Sequence, residues 1–241
     1  LGIPGAGPKA LASVKALMVE IRDHRLPLSP NVAVRTVEAD LRQVADVQQR
    51  VGLPLEAGAF LGSSPVRMDV EGWDLAYLVN AARKAVAFCK AAEVPVMMVT
   101  EDTTRARPEV LKAIYGAALD EGADALCLSD TVGHATPDGV RRLVRFVREE
   151  IIGDRPVRLD WHGHNDRGLG LANALAAYEA GADRLHASLL GIGERCGNVA
   201  LDQLLINFHL MGHEKGDLAV LPALAERVAR LCEVEIPANY P

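Results

Sequence analysis

The four cysteines of this chain, Cys89, Cys127, Cys196 and Cys232, lie far apart and form no C-x-x-C pair. They give no disulfide framework and read as reduced, mostly packed thiols of a cytosolic protein. No apolar run approaches the roughly 18 residues of a membrane span. No signal peptide is visible. A cytoplasmic protein without a membrane partner is therefore expected. Positive charge is not in excess either: the formal net charge is −6 and the signs are interspersed, which argues against a nucleic-acid surface. Arg141, Arg142, Arg145 and Arg148 recur at helical spacing and read as a solvated helix face. No G-x-G-x-x-G follows a first strand, which lowers a dinucleotide-binding reading.

What is present is length and rhythm. The 241 residues, 49% hydrophobic, suffice for one sizeable core. A short apolar strand, a polar turn and an amphipathic helix repeat along the chain. Residues 1–4 read as the tail of a strand, followed by a helix over 8–23. Strands are expected over 32–37, 55–61, 94–100, 123–129, 157–162 and 184–190. Helices are expected over 39–51, 75–92, 108–121, 137–150, 169–180 and 199–211, with a loop after residue 61. A last helix over 217–232 falls outside the rhythm, and 235–241 reads as the start of a linker. Strict β/α alternation implies a parallel sheet with helices outside it, either doubly wound or a closed barrel.

The position of polar groups separates these two. Ser63 and Ser64, Glu101 and Asp102, Ser129, Asp130 and Thr131, and His162 and His164 all end strands. Glu194 and Asn198 lie just beyond another. A (β/α)8 barrel gathers every strand C-terminus at one mouth, whereas a doubly wound sheet uses only those at its switch point. The expected fold is therefore α/β, a TIM barrel, with at least one β/α unit before residue 1. A catalytic barrel over 1–212 would be followed by a helix and linker over 213–241. His162 and His164 are two apart on a strand, so both imidazoles point the same way, as a divalent metal requires. H-x-H alone is a weak signal.

Four linked blocks make it stronger. His162-Gly163-His164-Asn165-Asp166-Arg167-Gly168-Leu169-Gly170-Leu171-Ala172-Asn173 resembles a signature of the isopropylmalate, homocitrate and citramalate synthases. Gly191-Ile192-Gly193-Glu194-Arg195-Cys196-Gly197-Asn198 resembles that family's next block. Thr100-Glu101-Asp102 with Arg105 resembles its E-D-x-x-R block, and Ser129 to Pro137 resembles its D-T-V-G-x-A-x-P block. Ser64-Pro65 matches its fourth-strand loop. The resemblance implies a metal-dependent Claisen-condensing TIM barrel. A divalent metal (Mg, Mn or Zn) would be held by His162, His164 and Asn198. Acetyl-CoA would be the donor and a 2-oxo acid the acceptor, in a homodimer. Glu101 would be the acid–base group, and Thr131 would bind the acceptor carboxylate, with Ser64, Met97 and Arg105 also on the substrate side.

Other readings stand beside these. Asp102 and Asp130 read equally as caps or loop braces, and Arg105 as an ion-pair partner. Cys196 reads as a packed thiol rather than a nucleophile. Asp160 reads either as a partner of the histidines or as a satisfied buried aspartate. The family's first-strand D-R-[DE] block, which supplies an acidic metal ligand, is absent here, and its place would be upstream of Leu1.

Met97 stands where homocitrate synthases carry an arginine for the far carboxylate of 2-oxoglutarate, and Val99 stands where a serine is usual. Burying a carboxylate there without a partner costs several kcal/mol. An apolar acceptor is therefore expected, namely 2-oxoisovalerate, giving 2-isopropylmalate in leucine biosynthesis. Met97 reads equally as barrel packing, with Arg35 or Arg67 supplying a cation. A hydroxymethylglutaryl-CoA lyase-like activity and a non-catalytic relative are the alternatives outside this reaction.

Overall fold

A computed structural model describes all residues, Leu1–Pro241. The elements in chain order are α1 (Pro8–Asp23), β1 (Asn31–Arg35), α2 (Glu38–Val51), β2 (Glu56–Gly62), α3 (Pro65–Glu71), α4 (Leu75–Ala91), β3 (Val96–Glu101), α5 (Pro108–Asp120), β4 (Ala125–Asp130), α6 (Pro137–Val147), β5 (Arg158–Gly163), α7 (Gly170–Glu179), β6 (Arg184–His186), α8 (Leu201–Leu210) and α9 (Leu221–Cys232). The chain divides into two compact units. One comprises Leu1–Ser129 and Phe146–Asp160, the other Asp130–Arg145 and Trp161–Pro241. No helix is long and apolar enough to cross a membrane.

In the first unit β1, β2, β3 and β4 pair in parallel and in chain order. Parallel neighbours need a crossover of a dozen or so residues, and the intervening helices supply it. The register sets Gly58 beside Met97 and Met97 beside Ala125. One layer on, Phe60 lies beside Val99 and Val99 beside Cys127. β5 is the next strand in the order. The helices bury one stripe each, as with Leu78, Ala82, Ala85, Val86 and Cys89 of α4. A polar network ties this unit together inside its core. Tyr115 on α5 donates to the Cys127 carbonyl at 2.7 Å and meets Thr100 Oγ1, while Thr103 Oγ1 accepts from Ser129 N at 2.8 Å.

The second unit carries the end of β5, with β6 next in the strand order, and α7, α8 and α9. Its tail is docked: Tyr240 donates its hydroxyl to Asp202 Oδ2 at 2.8 Å, and Asp202 Oδ1 accepts from Leu190 N at 2.8 Å.

Several expected boundaries move for identifiable reasons. Residues 1–4 form no strand. Gly2 contributes one carbonyl to Ala33 N, and Pro4–Ala6 is a single 3-10 turn. The expected loop after β2 contains α3, with Pro65 at its first position and Ser64 accepting from Arg67 N at its cap. Seven residues are too few for a visible helical period. α6 gives way to a π turn over Arg148–Ile152. β6 ends at His186 rather than reaching residue 190, because the chain turns through a 3-10 segment in which Leu190 has φ 58.

The thiols also depart from expectation. Cys89 and Cys127 are buried, but Cys196 and Cys232 are exposed, so Cys196 is not a packed thiol. It sits in a tight turn between Arg195 (φ 56) and Gly197 (φ 87), a geometry that leaves its side chain outside any core. Burial, then the charge of Asp124, push the Cys89 thiol up to about 12, so it stays protonated and inert. A disulfide-exchange reagent at pH 8 is expected to titrate two thiols in the native protein and four after denaturation. Four fast native thiols would contradict this burial.

Candidate active site

The site is built on period-two geometry. Arg158, Asp160 and His162 share one side of β5, and His164 follows in the same sense. The Nε2 atoms of His162 and His164 lie 3.3 Å apart, with the rings 5.0 Å apart between centroids and 84° between planes. Two nitrogens that share one ion at about 2.1 Å stand roughly 3.0–3.4 Å from each other, so the observed spacing matches a shared ligand position. Both imidazoles are held neutral, the form that ligates. Burial first, then repulsion from His186 and His164, push the His162 pKa down to about 3. Burial, then the Arg195 charge, lower that of His164.

Asn198 supplies an oxygen. An isolated antiparallel bridge pairs it with His164. Its Nδ2 donates to the Ile192 carbonyl at 3.2 Å, while its Oδ1 is buried with no hydrogen-bond partner. Leaving such an oxygen unsatisfied costs about 1–3 kcal/mol, and a cation removes that cost. No three His, Cys, Asp or Glu side chains gather as a metal-holding group. The fit therefore rests on two neutral imidazoles and this amide, a set suited to a divalent ion.

The glycines of the 191–198 block serve this placement. A Cβ on Gly193 would lie 2.2 Å from Asn198 Nδ2, and one on Gly197 would lie 2.2 Å from the Gly191 carbonyl oxygen. Arg195 ties three loops together: its Nε meets Asp166 Oδ1 at 2.8 Å, and its Nη2 donates to the Thr131 carbonyl at 2.6 Å. Asp130 braces the loop that carries Thr131, accepting from His134 N at 2.8 Å and Ala135 N at 3.2 Å.

In the first unit Glu101 ends β3, with Arg67 Nε 3.6 Å from its Oε1. Arg67 also pairs with Glu71 at 3.0 Å and lies over the Trp73 ring. The other candidates there make local bonds. Ser64 caps α3. Arg105 grips Asp102 through Nε at 2.9 Å and Nη2 at 2.6 Å. Arg35 forms a bidentate pair with buried Asp40, at 2.7 and 3.0 Å. Met97 is 4% exposed and packs with Ala125, Cys127 and Val99. Asp160, fully buried, accepts from Arg158 Nε at 2.8 Å. It is the satisfied aspartate of the two readings.

Sequence reasoning passed over His186, whose ring lies 5.5 Å from that of His162. It also passed over Asn173, which donates from α7 to the Ala135 carbonyl at 3.1 Å. Both carried a faint signal: His186 has strand parity with Arg184, and Asn173 closes the H-x-H block.

This arrangement has relatives. The family model described as HMGL-like matches residues 1–228. The chain belongs to the HMGL-like family. It is 30% identical over 99% of its length to a 2-isopropylmalate synthase of Pyrococcus abyssi (strain GE5 / Orsay), covering 49% of that protein. It is 36% identical over 73% of its length to the mitochondrial homocitrate synthase of Penicillium rubens, covering 37% of that protein. The chain thus spans about half or less of the length of these relatives. Among solved structures, an HMG-CoA lyase from Acenitobacter baumannii, in complex with coenzyme A and 3-methylmalate, superposes with a TM-score of 0.79 at 23% identity, over 99% of this chain and 79% of that one. That likeness shows the fold. The parallel strands in chain order in the first unit are those of a TIM-type barrel wall.

Proposed function

We propose that this chain is the barrel of an acetyl-CoA-dependent condensing enzyme with 2-oxoisovalerate as acceptor and 2-isopropylmalate as product. In this reading the protein works as a cytoplasmic homodimer, with the catalytic barrel over residues 1–212. The observation that carries it is the 3.3 Å pair of neutral imidazoles, with the orphaned side-chain oxygen on Asn198, the residue bridged to His164. The relatedness to 2-isopropylmalate and homocitrate synthases supports the reaction class.

His162, His164 and Asn198 would hold a divalent ion, Mg, Mn or Zn, which supplies Lewis-acid polarisation of the acceptor ketone when bound. Glu101 performs acid–base chemistry for a reaction that must take a proton from the acetyl methyl group, with the Arg67 guanidinium 3.6 Å away as a nearby positive charge. Thr131, on a loop fixed by Asp130 and Arg195, binds the acceptor carboxylate. The layer between Met97 and Glu101 on β3 is Val99, beside Phe60, and both are partly exposed. This surface favours an apolar acceptor side chain over a second carboxylate.

A second acceptor has one observation behind it. Arg67 places a guanidinium next to Glu101, where the far carboxylate of 2-oxoglutarate would find a cation. A thiol-release assay with acetyl-CoA and a panel of 2-oxo acids separates the two. Release is expected to be fastest with 2-oxoisovalerate and to stop with a chelator. Faster release with 2-oxoglutarate would replace the acceptor, and chelator-insensitive release would remove the metal.

A further inference from the structure

We propose that His186 is a positioning residue for the metal-side imidazole of His162. The proposal rests on the metal-centre reading above. His186 is the last residue of β6, the strand next to β5 in the sheet order. Its ring stands 5.5 Å from that of His162 between centroids, at 61° between planes. Centroid spacing of 4.5–7 Å with a steep interplanar angle is the edge-to-face arrangement aromatic rings prefer.

His162 is therefore flanked by two imidazoles with different relations to it. His164 meets it nitrogen to nitrogen, across the position suited to an ion. His186 packs edge to face against it. The ring of a ligating histidine turns freely about χ2 unless something fixes its plane, because that torsion is broad. A turn of that plane swings Nε2 away from His164 Nε2 and opens the 3.3 Å spacing. His164 is tied through its backbone in the bridge to Asn198, whereas the contact with His186 acts on the ring of His162 itself. Groups that hydrogen-bond metal ligands from behind typically change affinity by about 10–100-fold when removed, and a ring-packing contact is expected at the low end of that range.

The test replaces His186 with Leu, which keeps volume and removes the ring, and with Phe, which keeps the ring and removes both nitrogens. Co2+ affinity is measured by competition with a chromophoric chelator, alongside the Co2+ visible spectrum, in the wild type, both variants and His162→Ala. His186→Leu is expected to weaken Co2+ about tenfold and to alter the spectrum. His186→Phe is expected to recover affinity to within about threefold of wild type. Affinity unchanged in His186→Leu would overturn the proposal. So would a His186→Phe as weak as Leu, since that result assigns the role to a ring nitrogen. Equal Co2+ affinity in wild type and His162→Ala would instead sink the metal-centre reading itself.

Discussion

His162→Ala is expected to lower the rate of CoA release with acetyl-CoA and 2-oxoisovalerate by about 10³-fold, equivalent to ~4 kcal/mol of lost transition-state stabilisation. The size follows from what the side chain contributes. His162 gives one of two imidazole nitrogens aimed at a single point, and its neighbours keep it neutral and ready to ligate. Without it, His164 and the Asn198 amide remain, and two donors hold an ion far less well than three. The comparison is kcat/KM for wild type and variant, each stripped of metal and reloaded with Mg, Mn or Zn. Loss in kcat/KM that is relieved by raising the metal concentration would identify weakened binding. A drop of less than tenfold in reloaded enzyme would show that the pair is structural. His162 packs against two other imidazoles, so circular dichroism of the metal-free variant against the metal-free wild type separates loss of fold from loss of metal.

Arg158→Met is expected to destabilise the protein by about 2–4 kcal/mol, with no direct effect on metal affinity. Arg158 opens β5 and bonds to both Asp160 and Glu56, whose side chains are 0% and 12% exposed. Its own side chain is 32% exposed. Breaking a buried ion pair costs about 3–5 kcal/mol because a charge is stranded. The partial exposure of Arg158 lowers that figure, since water screens part of the interaction. Methionine keeps much of the stem packing, so the loss reads the charge. Urea unfolding monitored by circular dichroism measures it, and a change below about 1 kcal/mol would mean the two carboxylates do not depend on this guanidinium. Adding Glu56→Gln and Asp160→Asn removes both negative charges with their partner and is expected to restore part of the loss.

These two substitutions lie on one face of one strand, four residues apart, yet they are expected to act on different properties. Arg158 and Asp160 open β5 in the first unit, where Arg158 also pairs with Glu56 of β2. His162 in that strand and His164 just past its end belong to the second.

The β/α rhythm was legible from periodicity alone. Apolar runs near 57–61, 96–100 and 125–128 are buried apart from the partly exposed Phe60 and Val99, and such strands announce themselves without their neighbours. The missed features are short or non-local. α3 spans seven residues, below the length at which a 3.6-residue period shows. β6 stops at His186, before the apolar Leu189–Leu190 pair, and that pair enters a 3-10 segment in which Leu190 takes a left-handed conformation that no composition signal marks. The exposure of Cys196 follows from a turn with positive φ angles on either side of it, at Arg195 and Gly197.

For the candidate site, the sequence by itself determined which groups stand where. Spacing two along a strand put His162 and His164 on one side, and chain order put Glu101 at the end of β3 and Thr131 just past β4, whereas Asn198 lies well beyond β6 and meets His164 through an isolated bridge. Local geometry suffices for that, because pleat and helix period are properties of the backbone. Only the tertiary structure decided what each group is occupied with. Asp160 shares the parity of the histidines but is bound by Arg158. Arg35 is bound by Asp40, and Arg105 by Asp102. Asn198 Oδ1 is left buried without a donor, and His186 is packed against His162. Three of these ion pairs join residues only two to five apart in the chain, but which neighbour a side chain takes depends on burial, and burial is set by packing between distant segments.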